Sequence, residues 1–106
     1  MSNDWQPIAG ADELAVGQMK AFELEGRRLL LVNAEGRLHV IDEMCSHEDY
    51  SLALGCIKGS KIKCSLHGSY FDLNTGEALD EPADEPICTY PVKVEDGQVW
   101  TRLERG

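Results

Sequence analysis

Cys45-Ser46-His47 and Cys64-Ser65-Leu66-His67 are two thiol–imidazole pairs separated by residues 48–63. In each pair the sulfur and the ring nitrogen are close enough in sequence to be offered from one loop tip. Two such tips facing each other present two thiolates and two imidazoles to a single inorganic centre. Soft sulfur with imidazole suits zinc or a mixed-ligand iron–sulfur cluster; the third reading is four unrelated side chains and no metal. Zinc fingers usually pair cysteine with cysteine on one loop and histidine with histidine on another. Here each loop supplies one of each. That arrangement fits a binuclear cluster, with Cys45 and Cys64 on one iron and His47 and His67 on the other.

The elements around these pairs read as strands and turns. Trp5-Gln6-Pro7-Ile8 predicts a short first strand, and Ala11-Asp12-Glu13-Leu14 a single helical turn. Gln18 to Leu24 and Arg27 to Val32 are extended runs around Glu25-Gly26, a hairpin signal. Asn33-Ala34-Glu35-Gly36 predicts the next turn and Arg37 to Ile41 the returning strand, with His39 a partly exposed strand residue and not a ligand. From Glu43 to Pro86 the composition changes. Glycines at 55, 59, 68 and 76 punctuate short runs such as Lys61-Ile62-Lys63 and Ser69-Tyr70-Phe71. Asn74-Thr75-Gly76 supplies a turn, and the stiff Pro82-Ala83-Asp84-Glu85-Pro86 suits a third loop beside the two ligand loops. Tyr90, Val92 and Val94 then alternate with polar residues, and Asp96-Gly97 turns the chain into Gln98 to Leu103, a final hairpin. No long window has helical periodicity. The expected fold is therefore all-β: a small barrel or sandwich base with an inserted, loop-rich cluster-binding subdomain.

A chain of 106 residues has room for one domain. The predicted base covers about 1–42 and 87–106, and the cluster-binding subdomain about 43–86. The first residues carry no basic region or apolar run, so no signal peptide is expected, and nothing approaches a membrane span. The formal net charge of −9 argues against nucleic acid as a partner. It favours a protein with a basic patch, unless the carboxylates serve only solubility. Asp42, Glu43, Glu48 and Asp49 flank the first ligand pair, and Asp80, Glu81, Asp84 and Glu85 the later proline loop. Cys56 and Cys88 are expected to be small buried thiols, because a reducing cytosol disfavours their pairing.

Cys45-Ser46-His47, Cys64-Ser65-Leu66-His67-Gly68, Phe71-Asp72 and Thr75-Gly76 resemble the Rieske signature. The likeness runs on through Pro82-Ala83, Pro86, Tyr90-Pro91-Val92 and Gly97, and so covers most of the chain from residue 40 onward. The nearest subfamily looks like the small ferredoxins of bacterial aromatic-ring-hydroxylating oxygenase systems. This resemblance implies a Rieske fold, one 2Fe-2S cluster, and a cytoplasmic, monomeric electron carrier that is not itself an enzyme. Its partners would be an NAD(P)H-dependent flavoprotein reductase and a terminal oxygenase. The chain has neither a nicotinamide- or flavin-binding glycine fingerprint nor a two-histidine-one-carboxylate site, which agrees. A small subunit of assimilatory nitrite reductase is an alternative of the same fold. A structural zinc module is an alternative of another class.

Two ferric ions, two sulfides and two thiolates sum to zero with neutral imidazoles, whereas four thiolates would leave the oxidised cluster negative. Adding an electron is therefore easier here, within a range of about −150 to +300 mV. High-potential relatives resemble one another in a loop-locking disulfide and in serine and tyrosine hydroxyls that bond to the sulfurs. By position the two extra cysteines are Tyr50 and Leu66 here, Ser69 could supply the serine hydroxyl, and Phe71 replaces the tyrosine. Ser65 stands where a proline is usual, and Leu66 would either shield the cluster from water or serve as a plain core residue. The resemblance implies the lower part of the range.

Overall fold

A computed structural model describes residues 5–44, 51–64, 70–79 and 86–103. The third strand organises it. The run Leu29 to Ala34 is buried along its whole length, because layers cover both of its faces. This strand, β3 (Arg27–Ala34), lies between β2 (Met19–Leu24) and β4 (Arg37–Asp42), and β8 (Thr89–Tyr90) extends the antiparallel sheet beyond β4. Leu29 and Leu31 face one way and pack with Val40, Tyr90 and Val99. Leu30, Val32 and Ala34 face the other way and pack with Ile41, Leu52, Ile62, Cys64, Phe71, Leu73 and Ile87.

Each face meets a different small sheet. On the first lies the sheet β1 (Gln6–Gly10), β10 (Gln98–Thr101) and β9 (Val92–Glu95), which contributes Ile8, Ala9, Val92 and Val99. On the second lies β5 (Cys56–Lys58), β6 (Lys61–Lys63) and β7 (Tyr70–Asp72), which contributes Ile57, Ile62 and Phe71. This second sheet falls between β4 and β8 in the sequence. The all-β expectation holds, with an inserted small sheet.

Local chemistry explains most of the turns. Glu25-Gly26, Glu35-Gly36 and Asp96-Gly97 each join two strands, and both residues of each have positive φ, from 50° to 89°. That pairing closes a two-residue hairpin in the sense that matches strand twist. Three expectations are corrected. Ala11 to Leu14 forms a turn and bends, not a helical turn; Gly10 N–H donates to Glu13 Oε1 at 3.1 Å and Asn33 Nδ2 donates to Leu14 O at 2.9 Å. Asn33 and Ala34 stay in β3, and only Glu35-Gly36 turns. The alternating run from Tyr90 to Val94 divides at Pro91, where the chain leaves the β4 edge for the β10 edge. Proline has no N–H for a ladder, and its carbonyl instead accepts from Thr101 Oγ1 at 2.7 Å.

A polar latch closes the two ends of the inserted segment. Asp42 N–H donates to Cys88 O, and Cys88 N–H donates to Asp42 Oδ2, both at 3.1 Å. Tyr90 Oη donates to Asp42 Oδ1 at 2.7 Å and accepts from Arg27 Nη1 at 3.1 Å. Burial, then the bond and charge of Asp42, push the Tyr90 phenol up to about 12. Its ordinary value is 10.0, so the latch stabilises the fold fully below about pH 10 and loses its contribution as pH rises through about 12. Denaturant titrations across that window are expected to show stability falling in the wild type. Tyr90→Phe should lack that step, and an unchanged profile in the variant would contradict the latch.

Candidate metal centre

Of the four candidate ligands, Cys64 lies among the described residues; Cys45, His47 and His67 lie outside them. Cys64 follows β6 directly and is 1% exposed, packed with Leu52, Ile62 and Phe71. Segment 65–69 lies between the paired strands β6 and β7, where Lys63 pairs with Tyr70 and Ile62 with Phe71. His67 therefore belongs to a short connection between two paired strands.

The segment 45–50 has an equally specific root. Met44 and Ser51 form a β-bridge, and Leu52 N–H donates to Glu43 O at 2.7 Å. Glu43 is buried at 4% exposure and clamps the base of this loop. Its carboxylate accepts from Ser51 Oγ at 2.6 Å and from Arg28 Nε at 3.0 Å. Burying a carboxylate without such partners is costly. Ser51 Oγ also accepts from Ala53 N–H at 3.1 Å, capping a single 3-10 turn, Leu52–Leu54.

One contact brings the two roots together. After that 3-10 turn the chain passes so near β6 that a Cβ on Gly55 would lie 1.7 Å from the Lys63 carbonyl oxygen. Only glycine fits. The residue that leaves the first loop thus touches the residue that enters the second. The third loop joins the same place, since Leu79 N–H donates to Tyr70 O at 2.8 Å. Its return is held by Ile87 N–H donating to Gly76 O at 2.8 Å. A Cβ on Gly76 would come within 2.0 Å of Ile87 O.

Sequence reading misses the clamp and the crossing. It groups Asp42 and Glu43 with the acidic residues flanking the first ligand pair that could meet a basic partner, but both are engaged internally. Nothing local distinguishes Glu43 from its acidic neighbours; its partners are fifteen and eight residues away. Cys56 is also corrected: it is exposed on β5, not buried, while Cys88 is half-buried against the cluster of Leu29, Leu31, Val40, Tyr90 and Val99. His39 is half-buried on β4, and burial followed by the Arg37 charge lowers its pKa. No group of three metal-binding side chains occurs among the described residues, and His39 joins none. Phe71, at the position where a tyrosine hydroxyl is expected in high-potential relatives, is fully buried. Tyr50, Ser65, Leu66, Ser69 and the proline loop from 82 to 85 lie outside the described residues.

The Rieske 2Fe-2S domain family model matches residues 4–91. The chain belongs to the Rieske family. Its Rieske domain accordingly carries one 2Fe-2S cluster, and the donor set of two thiols and two imidazoles around converging loop roots fits that group. This Rieske chain is 33% identical over 104 residues to the ferredoxin component of the naphthalene 1,2-dioxygenase/salicylate 5-hydroxylase systems of Ralstonia sp., covering 98% of this chain and 100% of that protein. It superposes on the ferredoxin of Sphingomonas yanoikuyae B1 with a TM-score of 0.88 and 31% identity, covering 95% and 100% of the two chains. A third match has a TM-score of 0.85 and 27% identity, covering 98% of this chain and 29% of the other. It comes from the reduced complex between oxygenase and ferredoxin in carbazole 1,9a-dioxygenase. Among the described residues no helix is long and apolar enough to cross a membrane.

Proposed function

We propose that this Rieske chain is a cytoplasmic one-electron carrier between an NAD(P)H-dependent flavoprotein reductase and a terminal aromatic-ring-hydroxylating oxygenase. Cys45 and Cys64 would hold one iron, and His47 and His67 the other. The bound cluster supplies a centre that accepts one electron at a time. The observation that carries the ligand assignment is the crossing of Gly55 over Lys63, which joins the roots of both ligand loops beside buried Cys64. The partner assignment rests on the ferredoxin components among its relatives and on a likeness to a chain from an oxygenase–ferredoxin complex.

The chain's own residues do three things in this reading. The Glu43 clamp and the β6–β7 pairing hold the ligand loops at fixed roots. The Leu52, Ile62 and Phe71 cluster keeps water from the Cys64 side. Phe71 offers no hydroxyl to a sulfur, which favours the lower part of the Rieske potential range. A reconstitution tests the function: reductase, NADH, oxygenase and aromatic substrate, with and without the chain. Hydroxylation is expected only when the chain is present, and turnover indifferent to its omission would refute the carrier role.

A further inference from the structure

The chain's lysines are Lys20, Lys58, Lys61, Lys63 and Lys93. Lys20 is ion-paired with Glu13, and Lys93 Nζ lies 3.5 Å from Glu95 Oε1. The other three share the small inserted sheet. Register sets Lys58 opposite Lys61, and Lys63 opposite Tyr70. Ile57, Ile62 and Phe71 point into the core, so strand alternation turns Lys58, Lys61, Lys63 and Tyr70 outward together. None of these three lysines has an ion-pair partner among the described residues.

The face is shaped as well as charged. Lys58, Lys61, Tyr70, Asp72 and Leu79 line a groove of about 450 Å³. Lys63 Nζ stands 5.9 Å from the Tyr70 ring centre, and Leu79 is 39% exposed. Register sets Asp72, the one carboxylate lining the groove, opposite Lys61, and its Oδ1 accepts from Asn74 N–H at 2.7 Å, so the strip sets three ammonium groups against one carboxylate. At its upper end the strip runs into Lys63 and Tyr70, the root pair of the segment that carries His67.

We propose that this lysine strip is the docking surface for an acidic patch on a redox-partner protein. The inference rests on the electron-carrier reading and names the chemistry of one partner surface. Charge complementarity carries it: three neighbouring ammonium groups concentrated on one face of a chain of net charge −9. An acidic partner is repelled by the net charge of the molecule and attracted by this strip, which orients the encounter toward the Lys63–Tyr70 pair from which the segment carrying His67 departs. Nucleic acid, the other polyanion, meets the same repulsion without the orienting benefit.

The test uses the holo chain, the Lys58→Glu/Lys61→Glu variant, and Lys20→Glu/Arg37→Glu as a control of equal charge change. In the reconstituted turnover assay at low salt, the strip variant is expected to raise the KM for this chain about tenfold and keep kcat. The control should shift KM less than about twofold. Equal effects from both variants, or no effect from the strip variant, would overturn the proposal. Amide shifts on adding poly-L-glutamate are expected along 58–63 and 70–72, and their absence there would also overturn it. A labelled oligonucleotide should not bind; binding lost in the strip variant would make this a nucleic-acid site instead. The peptide titration needs no electron transfer. Strip binding without turnover would therefore refute the carrier reading and leave the strip in place.

Discussion

Replacing Cys64 by alanine is expected to abolish the visible absorption of the purified protein and to remove its bound iron. The residue is 1% exposed and packed among Leu52, Ile62 and Phe71, so two roles predict opposite results. A buried thiol that only packs behaves as a small hydrophobe, and its loss to alanine would cost about 1 kcal/mol and leave the colour unchanged. A ligand cannot be replaced by a methyl group. With one sulfur gone the cluster has no complete donor set, and whatever part of folding depends on metal binding goes with it. Visible spectra and iron analysis of Cys64→Ala distinguish the two outcomes directly. A coloured variant would remove Cys64 from the ligand set.

The second large effect is at a residue that binds nothing. Gly55→Ala is expected to destabilise the protein by about 3 kcal/mol, the upper end of ordinary overpacking. The melting temperature should fall by about 12–24 °C. A Cβ there would lie 1.7 Å from the carbonyl oxygen of Lys63, a backbone atom that cannot rotate away. To admit the methyl group the two ligand-loop roots must separate, so cluster occupancy should fall along with stability. Gly10→Ala is the control: its Cβ would meet nothing closer than 3.9 Å, and it should stay within about 0.5 kcal/mol of wild type. Thermal melts of both variants, with iron content measured on the same samples, test the crossing. Equal, small changes in the two would contradict it.

What the sequence disclosed was whatever short-range chemistry writes into it. Glu25-Gly26, Glu35-Gly36 and Asp96-Gly97 announce hairpins because positive φ at both turn residues has a local residue signature. The thiol–imidazole pairs proposed as ligands stand out for the same reason, since their spacing within each pair is local. The rest depends on partners distant in the chain. Leu29 to Ala34 reads as apolar, but that opposite faces serve two different sheets emerges only from the packing of β5–β7 against one side. Glu43 looks like any exposed carboxylate until Arg28 and Ser51 close on it. Cys56 looks like a core thiol, yet its place opposite Lys63 on the outward face of β5 exposes it. Ala11 to Leu14 is too short for helical periodicity to decide its shape. The Glu13 carboxylate on Gly10 N–H and the Asn33 amide on Leu14 O hold that stretch as a turn and bends.

One two-iron centre that takes a single electron underlies every role assigned to this chain. A reductive titration of the holo protein with dithionite, followed by visible absorption and normalised to iron and acid-labile sulfide, tests it most directly. Equal iron and sulfide are expected, with bleaching complete after one electron per cluster. Zinc in place of iron, or bound iron whose spectrum does not respond to dithionite, would contradict it.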